Sequence, residues 1–401
     1  MKKHILLLLI CCGALLGKAQ KYDFVFQDIY PKDIEVGAER THAYFSLLQG
    51  KRIALCANHT SLVGETHLLD TLLSSGITVV KVFTPEHGFR GQSEAGEKVN
   101  SSIDEKTKTP IVSLYGNNKK PTPEQMQGID IVVFDIQDVG ARFYTYISTL
   151  HYIMEAAAEN KVKVLVLDRP NPNGYWVDGP VLDTTLRSFV GMHPVPIAHG
   201  MTVGEYAKMI NGEGWLAGKK RCELAVVAAF GYAHLFRYQL PVNPSPNLSS
   251  MDAIYLYPTL CLFEGTPMSI GRGTDKPFVL LGHPDFLVGN ITFTPKNIPG
   301  IATNPPCVGK QCSGFDLTNM ASIIMKNNNF INVNLLIEAY REFPQKDKFF
   351  TSFFDKLAGT KTLREQIIAG KTAEEIRQSW QNDLDAFKQI RKKYLLYPDF
   401  E

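Results

Sequence analysis

Ile129-Asp-Ile-Val-Val-Phe134, the helical pattern from Phe143 to Glu159, and Val162-Lys-Val-Leu-Val-Leu167 form one strand, helix, strand unit. Both apolar runs have the length of a strand and are too continuously apolar to leave one face in water, so they predict strands covered on both sides. The same texture extends outward in both directions. Arg52-Ile-Ala-Leu-Cys56, Thr78-Val-Val-Lys-Val-Phe83, Pro110-Ile-Val-Ser-Leu114 and Leu224-Ala-Val-Val-Ala-Ala-Phe230 are further runs of this kind, and His67 to Leu73, Thr122 to Met126 and Thr202 to Asn211 read as helices. Thr122-Pro123 with Gln125, and Thr202 with Glu205, are capping patterns whose side chains satisfy the orphan donors of a first turn. Strand and helix in alternation predict an α/β fold with a parallel sheet wrapped on both faces.

The chain has 401 residues, 42 Lys plus Arg against 40 Asp plus Glu, and a net charge of +2. That balance gives no field to attract nucleic acid, and no nucleic-acid partner is expected. The length suggests two domains at about 150 residues each, every one large enough for its own core. Pro241-Val-Asn-Pro-Ser-Pro-Asn247 cannot be a central strand or a helix interior, which puts the boundary near Ser249. The expected organisation is a leader over 1–19, a catalytic domain over 20–249 and a smaller α/β domain over 250–401. In the second domain, Thr372 with Glu375 opens a helix that carries Ile376, Trp380, Leu384, Phe387 and Tyr394 close to one face.

Met1-Lys-Lys-His4, the apolar run Ile5 to Leu16 and Gly17-Lys-Ala19 read as a cleaved export signal, shorter than the ~18 apolar residues of a membrane span. An exported protein, periplasmic or extracellular and without a stable membrane partner, is therefore expected. Lipidation at Cys11 or Cys12 is the alternative, disfavoured by Ile10 where a small residue belongs. Five cysteines remain beyond the leader, an odd number and no disulfide scaffold, although Cys307 and Cys312 are close enough for a local bridge.

In a parallel sheet, ligands bind outside the carboxyl ends of the strands. The polar residues there are Asn58-His59-Thr60, Pro85-Glu86-His87-Gly88, Asp135-Ile-Gln-Asp138 and Asp168-Arg169-Pro-Asn171. No G-x-G-x-x-G follows the first strand, Gly271-Arg-Gly-Thr-Asp-Lys276 lacks Walker spacing, and neither G-x-S-x-G nor H-E-x-x-H occurs. Neither a cofactor nor a catalytic metal is expected, even with His59, His67, His87, Asp135 and Asp138 at one edge. A cleft rich in carboxylates suits acid–base cleavage of an acetal. Its candidates are Glu86, Glu94, Glu97, Asp135, Asp138 and Asp168, with the alternative that Asp135 and Asp168 cap turns or pair with Arg142 or Arg169.

Ala57-Asn-His-Thr60, Phe83-Thr-Pro-Glu-His-Gly-Phe-Arg-Gly91, Ala95-Gly-Glu-Lys98, Leu114-Tyr-Gly116, Val133-Phe-Asp-Ile-Gln-Asp-Val-Gly-Ala-Arg-Phe-Tyr-Thr-Tyr146, Leu167-Asp-Arg-Pro-Asn-Pro172, Phe263-Glu-Gly-Thr266 and Gly271-Arg-Gly-Thr-Asp275 resemble the NamZ-like exo-β-N-acetylmuramidase family. The likeness runs from about Gly37 to Tyr397. It implies a Rossmann-like domain, a smaller C-terminal α/β domain and an active site between them that releases N-acetylmuramic acid from the non-reducing end of peptidoglycan fragments. Muramyl saccharides are then the partners. Glu86 becomes the first choice for a catalytic carboxylate, with Asp135, Asp138 and His87 as further catalytic candidates. Substrate contacts are expected from Asn58, His59, Arg90, Glu97, Arg142, Tyr144, Asp168, Arg169, Glu264, Arg272 and Asp275. The lactyl carboxylate of muramic acid needs a cation; Arg90, Arg142, Arg169 and Arg272 are candidates, Arg142 and Arg272 foremost. Phe143, Tyr144 and Tyr146 are placed either as a wall for the sugar or as core. Two other functions fit the same cleft: a non-hydrolytic module that binds cell-wall fragments, and a metal-dependent esterase or amidase.

Overall fold

The computed structural model describes residues 28–29, 34–86, 88–89, 102–321 and 330–401. The leader therefore lies outside the described residues, as do His87, Arg90, Glu94 and Glu97. Seven strands form the main sheet: β1 (Arg52–Ala57), β2 (Thr78–Thr84), β3 (Ser102–Ile103), β4 (Pro110–Ser113), β5 (Ile131–Asp135), β6 (Lys163–Leu167) and β7 (Leu224–Val227). Their spatial order is β7-β6-β5-β1-β2-β4-β3, and every pairing is parallel except that of β3 with β4. The chain builds outward from β1 through β2 and β4, then returns to β5 on the other side of β1. The ends of β1 and β5 thus form the switch point, where departing loops diverge and leave a crevice.

Alternation along these strands feeds two cores. Ala54, Cys56, Val132, Phe134, Val164 and Val166 face one, while Ile53, Leu55, Ala57, Ile131, Val133, Leu165 and Leu167 face the other. Double burial explains the unbroken apolar runs. Helix α1 (Leu68–Ser74) packs on the second face. The short α2 (Pro123–Met126), α3 (Tyr146–Asn160) and α4 (Val203–Gly212) belong to the first. The capping boxes at Thr122 and Thr202 are both formed.

The C-terminal part opens with α5 (Met251–Leu260) and carries an antiparallel sheet of β8 (Leu280–His283), β9 (Ile291–Phe293) and β10 (Cys312–Asp316), with β10 in the middle. Helices α6 (Val333–Glu342), α7 (Ser352–Ala358), α8 (Thr362–Ile368), α9 (Ala373–Gln378) and α10 (Gln381–Lys392) follow. The capping box of Thr372 and Glu375 is present, but the expected single helix is two, interrupted at Trp380. The cause is distant: Trp380 Nε1 donates to Asp178 Oδ1 at 3.0 Å, and Arg377 pairs with the same carboxylate at 2.8 Å.

The two parts do not bury separate cores, contrary to the expectation from length. The core under the first sheet face continues through α5 into Phe343, Phe354, Ile376 and Trp380. The tail then returns to the first part, where Tyr397 donates to Asp168 Oδ2 at 2.6 Å and Arg391 donates to the Gly200 carbonyl at 2.7 Å. All five described cysteines are free, so the local bridge between Cys307 and Cys312 is not formed here. Among the described residues, no helix is long and apolar enough to cross a membrane.

Candidate active site between the two parts

The crevice at the switch point opens into a cavity of about 140 Å³ lined by Glu86, Phe143, Tyr144, Thr145, Tyr146, Val190, Ser245, Asn247, Leu248, Tyr257, Cys261, Glu264, Arg272, Phe278 and Leu357. Residues from both sides of the boundary meet there. Glu86 comes from the turn after β2 and accepts a hydrogen bond from Thr145 Oγ1 at 3.1 Å, immediately before the first turn of α3. Glu264 comes from the 3-10 turn that continues α5. It is the second carboxylate on the wall among the described residues.

Arg272 faces Glu264 across 2.6 Å, from Nη2 to Oε1, with side chains 22% and 26% exposed. Cys261 Sγ donates to the other oxygen, Oε2, at 3.6 Å. Local backbone chemistry aims Arg272. Gly271 and Gly273 on either side have φ of +78° and +79°, and a Cβ would meet the Lys276 carbonyl at 2.4 Å and the Lys296 carbonyl at 2.3 Å respectively. Only glycine fits such positions without displacement. Beneath the guanidinium lies the ring of Phe278, 5.1 Å from centroid to Cζ. Phe278 itself has φ of 56°, a left-handed conformation costing a bulky residue about 1 kcal/mol or more that the surrounding packing must offset.

The aromatic side chains interlock edge to face. Tyr144 contacts Tyr146 at 4.8 Å and Tyr257 at 5.7 Å, Tyr257 contacts Phe143 at 5.3 Å and Phe278 at 5.1 Å. Phe143, Tyr144 and Tyr146 are buried and also line the cavity. Tyr144 and Tyr146 also hold the proline-rich segment on the rim, donating to the Pro244 carbonyl at 2.9 Å and 3.3 Å. His59 Nε2 donates to the neighbouring Asn243 carbonyl at 2.8 Å, and Asn58 Nδ2 donates to the Tyr146 hydroxyl at 3.0 Å. Asn58 and His59 are thus supports of the wall. Burial pushes the phenols of Tyr144 and Tyr146 upward, keeping both neutral donors.

Several residues expected in the site are elsewhere. Arg142 is fully buried, and its two terminal nitrogens donate to the carbonyls of Pro180, Val195, Leu357 and Ala358 at 2.7 to 2.9 Å. Burial pulls its pKa down to about 9. With four backbone acceptors from both parts of the chain, it is an interdomain clamp, and it does not reach the cavity as a lactyl ligand. Asp135 and Arg169 form a buried pair at 2.5 and 2.9 Å, the alternative already open for them. Asp168 accepts from Thr202 Oγ1, the Gly204 amide and Tyr397, and burial raises its pKa to about 6. These three anchor strand ends. Asp138 lies near the tyrosines without lining the cavity; Oδ1 accepts from the Gly140 amide at 2.7 Å, and burial pushes its pKa to about 7. Asp275 is exposed and off the wall.

Ser245, Asn247, Tyr257, Cys261 and Phe278 were not expected. Tyr257 sits within the apolar helix α5 and has no local polar signal; only its contacts with Phe143 and Tyr144, just before α3, reveal it. No group of three or more His, Cys, Asp or Glu gathers as a metal site among the described residues. His67 caps α1 through Nδ1, accepting from the Leu69 amide at 3.1 Å.

A doubly wound sheet, a second α/β part and a cavity at their junction with two described carboxylates on its wall define a two-domain α/β architecture. Residues 53–252 match the N-terminal domain of the exo-β-N-acetylmuramidase NamZ family and residues 255–397 match its C-terminal domain. The chain belongs to that family. It is 40% identical over 376 residues, 88% of this chain and 89% of the other, to the peptidoglycan β-N-acetylmuramidase NamZ of Bacillus subtilis. A crystal structure of a DUF1343 family protein from Bacteroides fragilis superposes with a TM-score of 0.85 at 50% identity, covering 91% of this chain and 99% of that one. A second DUF1343 protein from the same organism gives 0.76 at 30% identity with the same coverage.

Proposed function

We propose that this protein is an exo-β-N-acetylmuramidase, a glycoside hydrolase that releases N-acetylmuramic acid from the non-reducing end of peptidoglycan fragments. The observation that carries this is the composition of one cavity wall: Glu86, the Glu264–Arg272 pair and an aromatic face converge there, in a chain of the muramidase family. Cleaving an acetal takes one acid to protonate the leaving oxygen and one carboxylate that acts on water or on the anomeric carbon. Glu86 fills one of these two roles, held by Thr145. Arg272 supplies the cation for the lactyl carboxylate, the group that separates muramic acid from N-acetylglucosamine. Tyr144, Tyr257 and Phe278 provide apolar surface against which a sugar ring can stack. The leader pattern supports work outside the cytoplasm, where cell-wall fragments are found.

Glu86→Gln keeps the shape and the hydrogen bond to Thr145 and removes the titratable group. Release of N-acetylmuramic acid, followed by mass spectrometry, should drop by about a hundredfold or more, the scale of a lost acid–base group. An unchanged circular dichroism spectrum would show that the fold persists. A Glu86→Gln variant with the wild-type rate would remove Glu86 from the chemistry.

A further inference from the structure

Arg272 is incompletely satisfied where it stands. A guanidinium carries five N–H donors; here one bond goes to Glu264 Oε1 and the face rests on Phe278. Its Nε is buried with no hydrogen-bond partner among the described residues. Glu264 therefore meets Arg272 through one oxygen, because its other oxygen is held by Cys261. A carboxylate that arrived free of other ties could engage two nitrogens side by side, the geometry that arginine and carboxylate favour. The pair also belongs to the cavity wall, beside Glu86 and Tyr257, and is not a distant surface bridge.

We propose that Glu264 is a place-holder: it occupies Arg272 until the carboxylate of an acidic sugar replaces it. The exchange selects that sugar over its neutral counterpart. The sugar's identity rests on the muramidase reading; the exchange itself rests on the pair. An exposed arginine alone would attract any small anion, whereas a half-buried arginine with a built-in acid surrenders it only to a ligand that brings an equivalent charge and fills the rest of the cavity. A neutral sugar leaves the pair closed and gains nothing from Arg272. Selectivity then comes from repulsion as well as attraction, since the resident carboxylate opposes the incoming one until it moves aside.

Titration calorimetry of the full chain with N-acetylmuramic acid and with N-acetylglucosamine tests this without turnover. Glu264→Gln should bind N-acetylmuramic acid about tenfold more tightly than wild type, because a competing like charge is gone, with N-acetylglucosamine unaffected. Arg272→Met should lose the preference for the acidic sugar. Glu264→Asp, which retains the charge on a shorter arm, should fall between wild type and Glu264→Gln and covers the case of a poorly folded amide variant. Equal or weaker binding of N-acetylmuramic acid by both Glu264 variants, or binding of neither sugar by any form, would overturn the place-holder. Failure of the muramidase reading has a different signature, with the tenfold gain present and no release of N-acetylmuramic acid from muramyl-terminated glycans.

Discussion

Asp138 is the residue whose setting is least comfortable. One oxygen is held by the Gly140 amide, while Oδ2 is buried with no hydrogen-bond partner among the described residues. Burial raises its pKa from 3.8 to about 7, so the folded protein holds this proton more tightly than the unfolded chain does. The resulting stability is complete below pH 3.8 and is lost as pH rises towards about 7, at up to ~1.4 kcal/mol per unit. Asp138→Asn removes this dependence. Urea denaturation from about pH 4 to about pH 7 should show the wild type losing stability relative to the variant as pH rises; a constant difference would mean that Asp138 does not titrate in this range. The place of Glu86 on the cavity wall could be read because it follows the end of a strand. Arg142 could not, because a motif gives residue type and not direction: its four acceptors come from segments 38 to 216 residues away.

The strands were readable because burial on both faces leaves continuous apolar runs, and each predicted run in the main sheet contains a strand. What local pattern could not supply was the interruption at Trp380, whose partner Asp178 lies 202 residues earlier. The reach of the polar strand ends was equally hidden. Asp135 ends β5, but its fully buried carboxylate turns to Arg169, which is 4% exposed, and Arg169 in turn donates to the Leu62 carbonyl at 2.8 Å. The pair ties the end of β5 to the loops after β1 and β6. Asp135→Asn leaves the guanidinium buried without its charge partner and should lower unfolding free energy by about 3 to 5 kcal/mol in urea denaturation. The double variant Asp135→Asn, Arg169→Met should recover part of that loss. A cost below about 1 kcal/mol for the single change would place the pair among weak, solvent-screened bridges.

Across the whole molecule, Glu86 from one part and the Glu264–Arg272 pair from the other line one cavity, which holds its shape only if the two parts keep a fixed relative placement. The shared core, the Arg142 clamp on Leu357 and Ala358, and the return of Tyr397 to Asp168 supply it. The stretch Pro241 to Asn247 was visible as a proline-rich interruption. That this interruption forms the rim of the site, gripped by His59, Tyr144 and Tyr146, was not, because those contacts span 98 to 184 residues. Near-neutral net charge also fits the proposed function, in which an acidic sugar would meet Arg272 inside a cleft and not a basic surface. The proposed reaction takes place at one end of one kind of sugar. Two disaccharides separate it from its alternatives, one with N-acetylmuramic acid at the non-reducing end and one with N-acetylglucosamine there. The purified protein should release free N-acetylmuramic acid from the first and leave the second intact; cleavage of the second, or of neither, would contradict it.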